Sequence, residues 1–412
     1  MSLECPRCGR VYPFSSGHGD CGACRAQGAP SNLTVLYDYP SVPWTRETFR
    51  DREHSMWRYQ ELLPVAAQDR VSLGEGMTPL LHCGNLGALV GLDHLYVKDE
   101  SQNPTWSFKD RLCSVAVSRA KGTGASLVVV SSTGNHGISA AAYSARAGLS
   151  CLVLTLEGAP PAVKGLMRAC GAMVVSTRAP AERWALVETG VRLHGWFPAS
   201  NYLDPPVGSP CFGVEGHKTI AYEIAEALSW DCPEFVAVPV AYGDGLAGIG
   251  KGFWELERLG LVERVPRLVA VEVSGSLGVA LGRGCDRVEE APWADPVAYS
   301  IAVKASTYQA LAAIRQSGGL AVRVTGPEIL AAQEALASRE GLYAEASSAA
   351  SLAGVARLRE AGEIRGADRV ACLLTSGGLK QPPEGGSPPV PLVSGWHGLQ
   401  EALRDAYGFP VH

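Results

Sequence analysis

The sequence predicts an α/β protein with two doubly wound parallel-sheet domains behind a small N-terminal cysteine ribbon. Three observations carry that prediction. Short apolar runs alternate with alanine-rich amphipathic stretches from about residue 90 to 376. These strand–helix units are too many for one open sheet, so two α/β domains are expected. Four cysteines, Cys5, Cys8, Cys21 and Cys24, crowd the start in the pattern C-x2-C-x12-C-x2-C.

The expected strands are 127–132 (LVVVSS), 151–156 (CLVLTL), 173–176 (MVVS), 235–239 (FVAVP), 268–273 (LVAVEV) and 370–375 (VACLLT). Each is short, apolar and rich in β-branched residues, as a strand buried on both faces must be. Helices are expected over 138–147, 181–194, 327–340 and 347–361, where alanine and leucine recur at helical spacing. Residues 38–70, with Trp44, Trp57 and Tyr59, read as an arm or lead-in helix. Residues 381–395 (QPPEGGSPPVPLVSG) read as a linker, and 396–407 as a short amphipathic helix. There is no internal repeat.

Composition narrows the function. Hydrophobic residues make up 46% and charged residues 19%, which excludes a disordered chain. The formal net charge of −5 argues against a protein that coats nucleic acid, so no nucleic-acid partner is expected. There is no run of about 18 uninterrupted apolar residues, so no membrane span is read. The opening MSLECPRCGR has no apolar signal region. A soluble, cytoplasmic protein is therefore expected, with its 12 cysteines reduced.

Each C-x2-C pair forms a knuckle that aims two thiolates at one ion. Two knuckles a dozen residues apart complete the tetrahedron that structural zinc requires. Four thiolates leave no open position, so the expected zinc is structural. His18 is a spare ligand or an exposed loop residue. The other eight cysteines show no pairing and read as small buried hydrophobes.

Four further segments carry chemistry. In 103–111 (NPTWSFKDR), Pro104 closes a strand segment and Ser107 can cap a helix starting near Phe108. Lys109 then faces the positive end of the helix dipole, which disfavours its charge and suits an amine for Schiff-base chemistry. In 243–248 (GDGLAG), glycines expose backbone N–H groups at a helix start near Leu246, which suits a phosphate or an ordinary strand–helix turn. In 131–137 (SSTGNHG), Asn135 and several hydroxyls sit at a strand end, which suits a carboxylate or a ring oxygen, or simply caps a helix. In 375–380 (TSGGLK), hydroxyls follow a strand, for a ring nitrogen or a bland turn.

Together these segments resemble the threonine synthase branch of the fold type II pyridoxal-phosphate enzymes, the tryptophan synthase β-subunit family. The matching stretches are 73–79 (LGEGMTP), 96–111 (YVKDESQNPTWSFKDR), 132–148, 215–224 (EGHKTIAYEI), 239–253 (PVAYGDGLAGIGKGF), 345–354 (EASSAASLAG) and 374–380. They span almost the whole chain in the right order, and the cysteine ribbon followed by Tyr37 and Asp38 fits the same branch. The resemblance implies a lyase or synthase of amino-acid biosynthesis, acting on an amino acid with a leaving group at Cβ or Cγ. It implies pyridoxal 5'-phosphate as cofactor and a homodimer. It implies a ribbon over 1–37, a large cofactor-binding domain over 38–105 and 206–380, a small domain over 106–205, and a linker with a C-terminal helix over 381–412.

Residue by residue, the resemblance implies that Lys109 holds the cofactor and shuttles protons, with Phe108 packed beside it. It implies that Asn135 meets the ring hydroxyl and that Gly243, Asp244, Gly245, Leu246 and Ala247 hold the cofactor phosphate. Thr375 is implied at the pyridine nitrogen, where a neutral partner moderates the electron sink. Ser132, Thr133, Gly134 and His136 are implied to bind the substrate carboxylate.

Three positions depart from the branch. Trp106 stands where it usually has glycine, which is expected to reshape the pocket beside Lys109. His136 replaces a threonine and reads either as a general acid or as a satisfied helix-start residue. Gly213 stands where threonine synthases usually carry an arginine that grips the substrate phosphate. Lys218 is one replacement for that arginine. The alternatives to threonine formation from phosphohomoserine are a serine/threonine ammonia-lyase and a β-replacement synthase of a specialised pathway. A reading of a different class, a zinc-ribbon binding module on an inactive scaffold, is opposed by Lys109, Asn135 and the glycine loop.

Overall fold

The computed structural model describes residues 1–16, 19–292, 296–381 and 390–409. His18 and residues 382–389 of the linker lie outside the described residues. The chain divides into Met1–Lys380 and Gln381–His412. In the second unit the helix Gly395–Tyr407 matches the expected tail helix and is closed by Gly408 in the left-handed conformation.

The first unit opens with β1 (Ser2–Glu4), β2 (Val11–Tyr12) and β3 (Thr34–Leu36), an antiparallel sheet in the order β2-β1-β3. β4 (Leu80–His82) and β5 (His94–Asp99) follow. Next come β6 (Leu127–Ser131), β7 (Ser150–Leu156), β8 (Met173–Thr177) and β9 (Phe197–Pro198), a parallel sheet in the order β8-β7-β6-β9. β10 (Phe235–Pro239), β11 (Arg267–Glu272), β12 (Leu320–Arg323) and β13 (Arg369–Leu374) join β4 and β5 in a six-stranded sheet of order β12-β11-β10-β13-β5-β4. That sheet is parallel except for β4. The chain is thus an α/β protein of two parallel sheets, as the alternating pattern predicts.

All six expected strands form, each within one residue at either end. The run of β10 is continuous because helices cover both faces and every residue is buried, whereas the edge strand β8, expected to be buried on both faces, leaves Met173 and Val175 each 48% exposed. β5 has a mixed sequence for a physical reason. Its Lys98 and Asp99 are buried charged residues, held by partners rather than by solvent. The stretch 38–70 forms a chain of short 3-10 turns rather than a lead-in helix. Trp44, Phe49, Tyr59 and Tyr222 pack there edge-to-face or tilted, at centroid separations of 5.0–6.0 Å.

Strand order locates the ligand crevice. In the six-stranded sheet the winding reverses between β10 and β13, and in the four-stranded sheet it reverses beside β6. Crevices open outside the carboxyl ends of strands at such switch points. The glycine loop after β10, the hydroxyl loop after β13 and the Ser131–Gly137 loop after β6 therefore all stand at switch points.

A buried ion cluster ties the helix Lys109–Gly122 to this frame. Arg111, fully buried, donates from Nε to Glu100 at 2.6 Å and from Nη1 and Nη2 to Glu223 at 2.5 and 2.7 Å. Lys98 donates to the same Glu223 at 2.6 Å. Two cations thus meet two carboxylates, and Thr78 and Thr219 hydroxyls fill the remaining bonds. Burial pushes Glu223 up, but Arg111 and Lys98 more than reverse that and hold it below the usual glutamate range.

Removing one partner of such a cluster leaves an uncompensated buried charge. Arg111→Leu is expected to lower unfolding free energy by about 3–5 kcal/mol, read as a lower denaturant midpoint. Because folding depresses Glu223, its contribution is complete above the ordinary glutamate range and fades as pH falls below it. Wild-type stability should therefore decline with acidification in that window, and a variant carrying Glu223→Gln should decline less.

Candidate functional site

Lys109 begins its helix, with Phe108 as the preceding cap. The backbone before it is pinned to the loop after β13. The Phe108 N–H donates to the Thr375 carbonyl at 2.9 Å, Ser107 bridges Ser376, and the Ser376 hydroxyl donates to the Trp106 carbonyl at 3.0 Å. The Ser107 side chain does not cap the helix: its buried hydroxyl makes no hydrogen bond. Asp110 accepts from the Thr105 amide and the Ser139 hydroxyl, each at 2.6 Å.

The Lys109 amine lies 4.7 Å from the centre of the Phe108 ring. It sits deep in the molecule while its side chain keeps partial access to a cleft. Burial lowers its pKa below the ordinary lysine range, against a smaller opposing pull from Asp244 and Cys113. The expected depression is present, with burial as its leading cause. Phe108 stacks on His217 at 4.6 Å, and a β-carbon at Gly245 would come within 2.9 Å of the Phe108 ring. Glycine at 245 thus permits close approach of the two loops.

The cleft has a volume of about 1320 Å³. It brings together Phe108, Lys109, Ser132–His136, Gly243–Gly245 and Thr375 of the sequence-predicted set. Leu246 and Ala247 lie behind this lining. Gly243 adopts φ +91, and a β-carbon there would strike Ala310 at 2.3 Å, so only glycine serves. The helix Asp244–Arg258 presents the N–H groups of its first turn, which have no partners within the helix. The Ala247 amide instead donates to the Gly243 carbonyl at 2.9 Å and is spent inside the turn. The Asp244 carboxylate faces away from an anion role: it accepts from the Ser209 hydroxyl and the Gln309 amide, each at 2.6 Å.

Asn135 starts its helix and donates to Glu345 at 2.8 Å, while Lys380 donates to its side-chain carbonyl. Lys380 is lowered to about 8, chiefly by burial. Ser132 spends its hydroxyl on the Gly134 and Gly137 amides at 3.2 and 2.9 Å, so it shapes the loop. The Thr375 hydroxyl meets Ser348 at 2.8 Å. Glu345, Ser348 and Lys380 were given no role in the sequence, although 345–354 and 375–380 were named, because only the fold brings Glu345 and Lys380 to Asn135 and Ser348 to Thr375.

The structure corrects four expectations. His136 is lowered to about 3 by burial and by the charge of Lys109, so it is neutral near pH 7 and not a cationic acid. Nor is it a satisfied residue, since its Nε2 is buried without a partner. Trp106 does not reshape the cleft. It stands outside the lining, 46% exposed, at φ +61. Gly213 does not face the cleft, because a β-carbon there would meet Leu112 at 3.0 Å. Lys218 is fully buried between Glu215 at 2.7 Å and Glu255 at 3.1 Å, so it is no substitute for a phosphate-binding arginine.

At the N-terminus, the Cys5 and Cys24 sulfurs lie 3.7 Å apart, and those of Cys8 and Cys21 3.6 Å. All four fall within 4.8 Å of one another. A tetrahedral thiolate site with metal–sulfur bonds of about 2.3 Å has edges of about 3.8 Å, so the donors fit a single ion. Arg7, between the first two cysteines, lies 3.8 Å from the Tyr308 ring centre and donates to the Asp286 carbonyl at 2.7 Å. Arg7 and Gly28–Pro30 reach the cleft lining. Six of the other eight cysteines are buried, and Cys170 and Cys285 are half-buried.

Trp106 holds a left-handed conformation that costs a non-glycine residue free energy. Trp106→Gly is expected to raise stability by about 1 kcal/mol after glycine's greater unfolded-state entropy is subtracted. Denaturant unfolding checks this, and ligand binding in the cleft should be unchanged.

Residues 71–376 match the family model described as pyridoxal-phosphate dependent enzyme. The chain is 36% identical to the threonine synthase of Methanocaldococcus jannaschii over 391 residues, 93% of each chain. It is 36% identical to the threonine synthase of Methanosarcina acetivorans, over 92% of each. Among solved structures it is similar to the processed form of threonine deaminase isoform 2 from Solanum lycopersicum. That match has a TM-score of 0.65 and 20% identity, and covers 80% of this chain and 92% of the other. A fold shared with that structure, a cleft at both switch points with a depressed lysine in its floor, and relatives matched over nearly their full length lead to one conclusion: the chain belongs to the pyridoxal-phosphate dependent enzyme family.

Proposed function

We propose that this chain converts phosphohomoserine and water into threonine and phosphate, by elimination and replacement chemistry at the substrate's Cβ and Cγ. The observation that carries the reading is the Lys109 amine, depressed by burial, where the loops after β6, β10 and β13 line one cleft. The extended match to threonine synthases supports the substrate. The deaminase resemblance rests on 20% identity and supports the fold alone.

The residues fit the cofactor. Lys109 would hold it, with Phe108 alongside. The open amides of Gly243–Leu246 would take its phosphate, Asn135 its ring hydroxyl and Thr375 its ring nitrogen. When bound, pyridoxal phosphate supplies an electron sink for charge at the substrate's Cα. The loop Ser132–His136 orients the substrate carboxylate through backbone amides and the Thr133 hydroxyl. The Lys109 amine would take the Cα proton and return protons to carbon. Neutral His136 contributes shape and a hydrogen bond there rather than charge. Glu345 and Lys380 fix the orientation of Asn135.

The reading extends to the rest of the chain. The ribbon, 1–37, would bind one structural zinc through Cys5, Cys8, Cys21 and Cys24, supported by the sulfur spacing. The large domain would comprise 38–105 and 206–380, the small domain 106–205, and 381–412 the linker and tail helix. A cytoplasmic homodimer accompanies this assignment by family resemblance.

Purified enzyme should release phosphate from phosphohomoserine with threonine as the other product. Lys109→Ala should lower the turnover number by more than about 10³-fold. Ketoacid from threonine, with no phosphate release, would favour the ammonia-lyase reading instead. Metal analysis should find one zinc per chain, lost in Cys8→Ser. Chelation should lower the thermal midpoint while the surviving folded enzyme keeps its cofactor absorbance; loss of turnover without loss of stability would contradict a structural role.

A further inference from the structure

Gly213 faces Leu112 and Ala116, and Lys218 is locked between two glutamates. The cleft nevertheless contains a guanidinium suited to an anion. Arg183 lies on the helix Pro180–His194, which packs on β6, β7, β8 and β9 and shares the cleft lining with the Ser132–His136 loop. Its side chain is 9% exposed and lines the cleft. Its Nε is buried and makes no hydrogen bond.

The other cleft arginines are occupied. Arg7 donates to the Asp286 carbonyl, Arg287 to the Gly28 carbonyl, and Arg178 is an exposed residue that pairs with Glu157 at 4.0 Å. Among the described residues, no carboxylate pairs with Arg183 and no carbonyl accepts from it. Tyr242, the titratable group that acts on it electrostatically, is a phenol pushed up to about 12 by burial and therefore neutral. Burying a guanidinium without a counter-charge costs free energy, and the cost is recovered when an anion enters. A guanidinium fork matches two phosphate oxygens at once.

We infer that Arg183 is the residue that binds the substrate's phosphate. This rests on the phosphohomoserine reading for the identity of the anion. The cofactor phosphate has its own donors in the first turn after Gly243. Arg183 stands instead on the four-stranded sheet that carries the expected substrate loop. A phosphate held there has its leaving charge balanced as the bond to Cγ breaks and the electron pair departs with the phosphate oxygen.

The test uses the holoenzyme, wild type against Arg183→Gln and Arg183→Lys. In Arg183→Gln, kcat/KM for phosphohomoserine should fall about 100-fold, mostly through KM. Arg183→Lys should fall between the two. Inorganic phosphate, titrated by the change in cofactor fluorescence, should bind wild type saturably and Arg183→Gln at least 10-fold more weakly. Cofactor content should be equal in all three. Unchanged KM and phosphate binding in Arg183→Gln would overturn the inference, as would loss of cofactor instead of substrate affinity. If wild type releases no phosphate from phosphohomoserine, the functional reading fails, and the phosphate titration then decides for Arg183. Binding lost in the variant supports an anion receptor; equal or absent binding in both refutes it.

Discussion

One hydrogen bond organises the site: the Phe108 N–H donates to the Thr375 carbonyl at 2.9 Å. It joins the turn that carries Lys109 to the end of β13, the strand next to β10 at the switch point. Ser107 and Ser376 extend the pairing by one bridge. Two residues beyond Lys109, Arg111 anchors the helix from below through Glu100 and Glu223. The lysine therefore projects from a segment fixed at both ends. A flexible amine at this position would lose orientation, and orientation is much of what an enzyme contributes to proton transfer.

Burial serves two purposes in this molecule. Around Arg111 and Lys218 it encloses charges that are fully matched, and these clusters join distant segments: β5 to the helix Thr219–Ala227, and Tyr37 and Tyr39 to Glu215 and Glu255. Around the cleft it encloses groups left unmatched, such as the Lys109 amine, the His136 Nε2 and the Arg183 guanidinium. Matched clusters tie the fold together, whereas the unmatched groups are the ones for which ligand roles are proposed. The ribbon takes part in both. Its arginines dock on the body at Asp286 and at Asp204–Pro205, and its loop at Gly28–Pro30 reaches the cleft.

Much of the fold was legible because strands buried on both faces must read as unbroken apolar runs, and β6, β7, β10, β11 and β13 do. β5 was less legible as an apolar run, since the buried charge of Lys98 depends on Glu223, over a hundred residues away, and that of Asp99 on the turn that follows it. The loops around Lys109, Asn135, Gly243 and Thr375 were legible from their residue types at strand ends. What these side chains touch was not. The orientation of Trp106 follows from a left-handed backbone angle, that of Gly213 from a helix face, and the confinement of Lys218 from two glutamates. Arg183 carries no motif at all; it becomes conspicuous only when every other cleft arginine is found to have a partner.

Lys109, not another lysine, is the amine proposed to carry the cofactor. Lys380 is the instructive rival, because it touches Asn135 and is itself lowered to about 8. Borohydride reduction of the cofactor-loaded enzyme fixes the cofactor on its lysine, and peptide mapping by mass spectrometry then reads the position. A single modified peptide carrying the label on Lys109 is expected. A label on Lys380, or on any lysine outside the helix Lys109–Gly122, would contradict it.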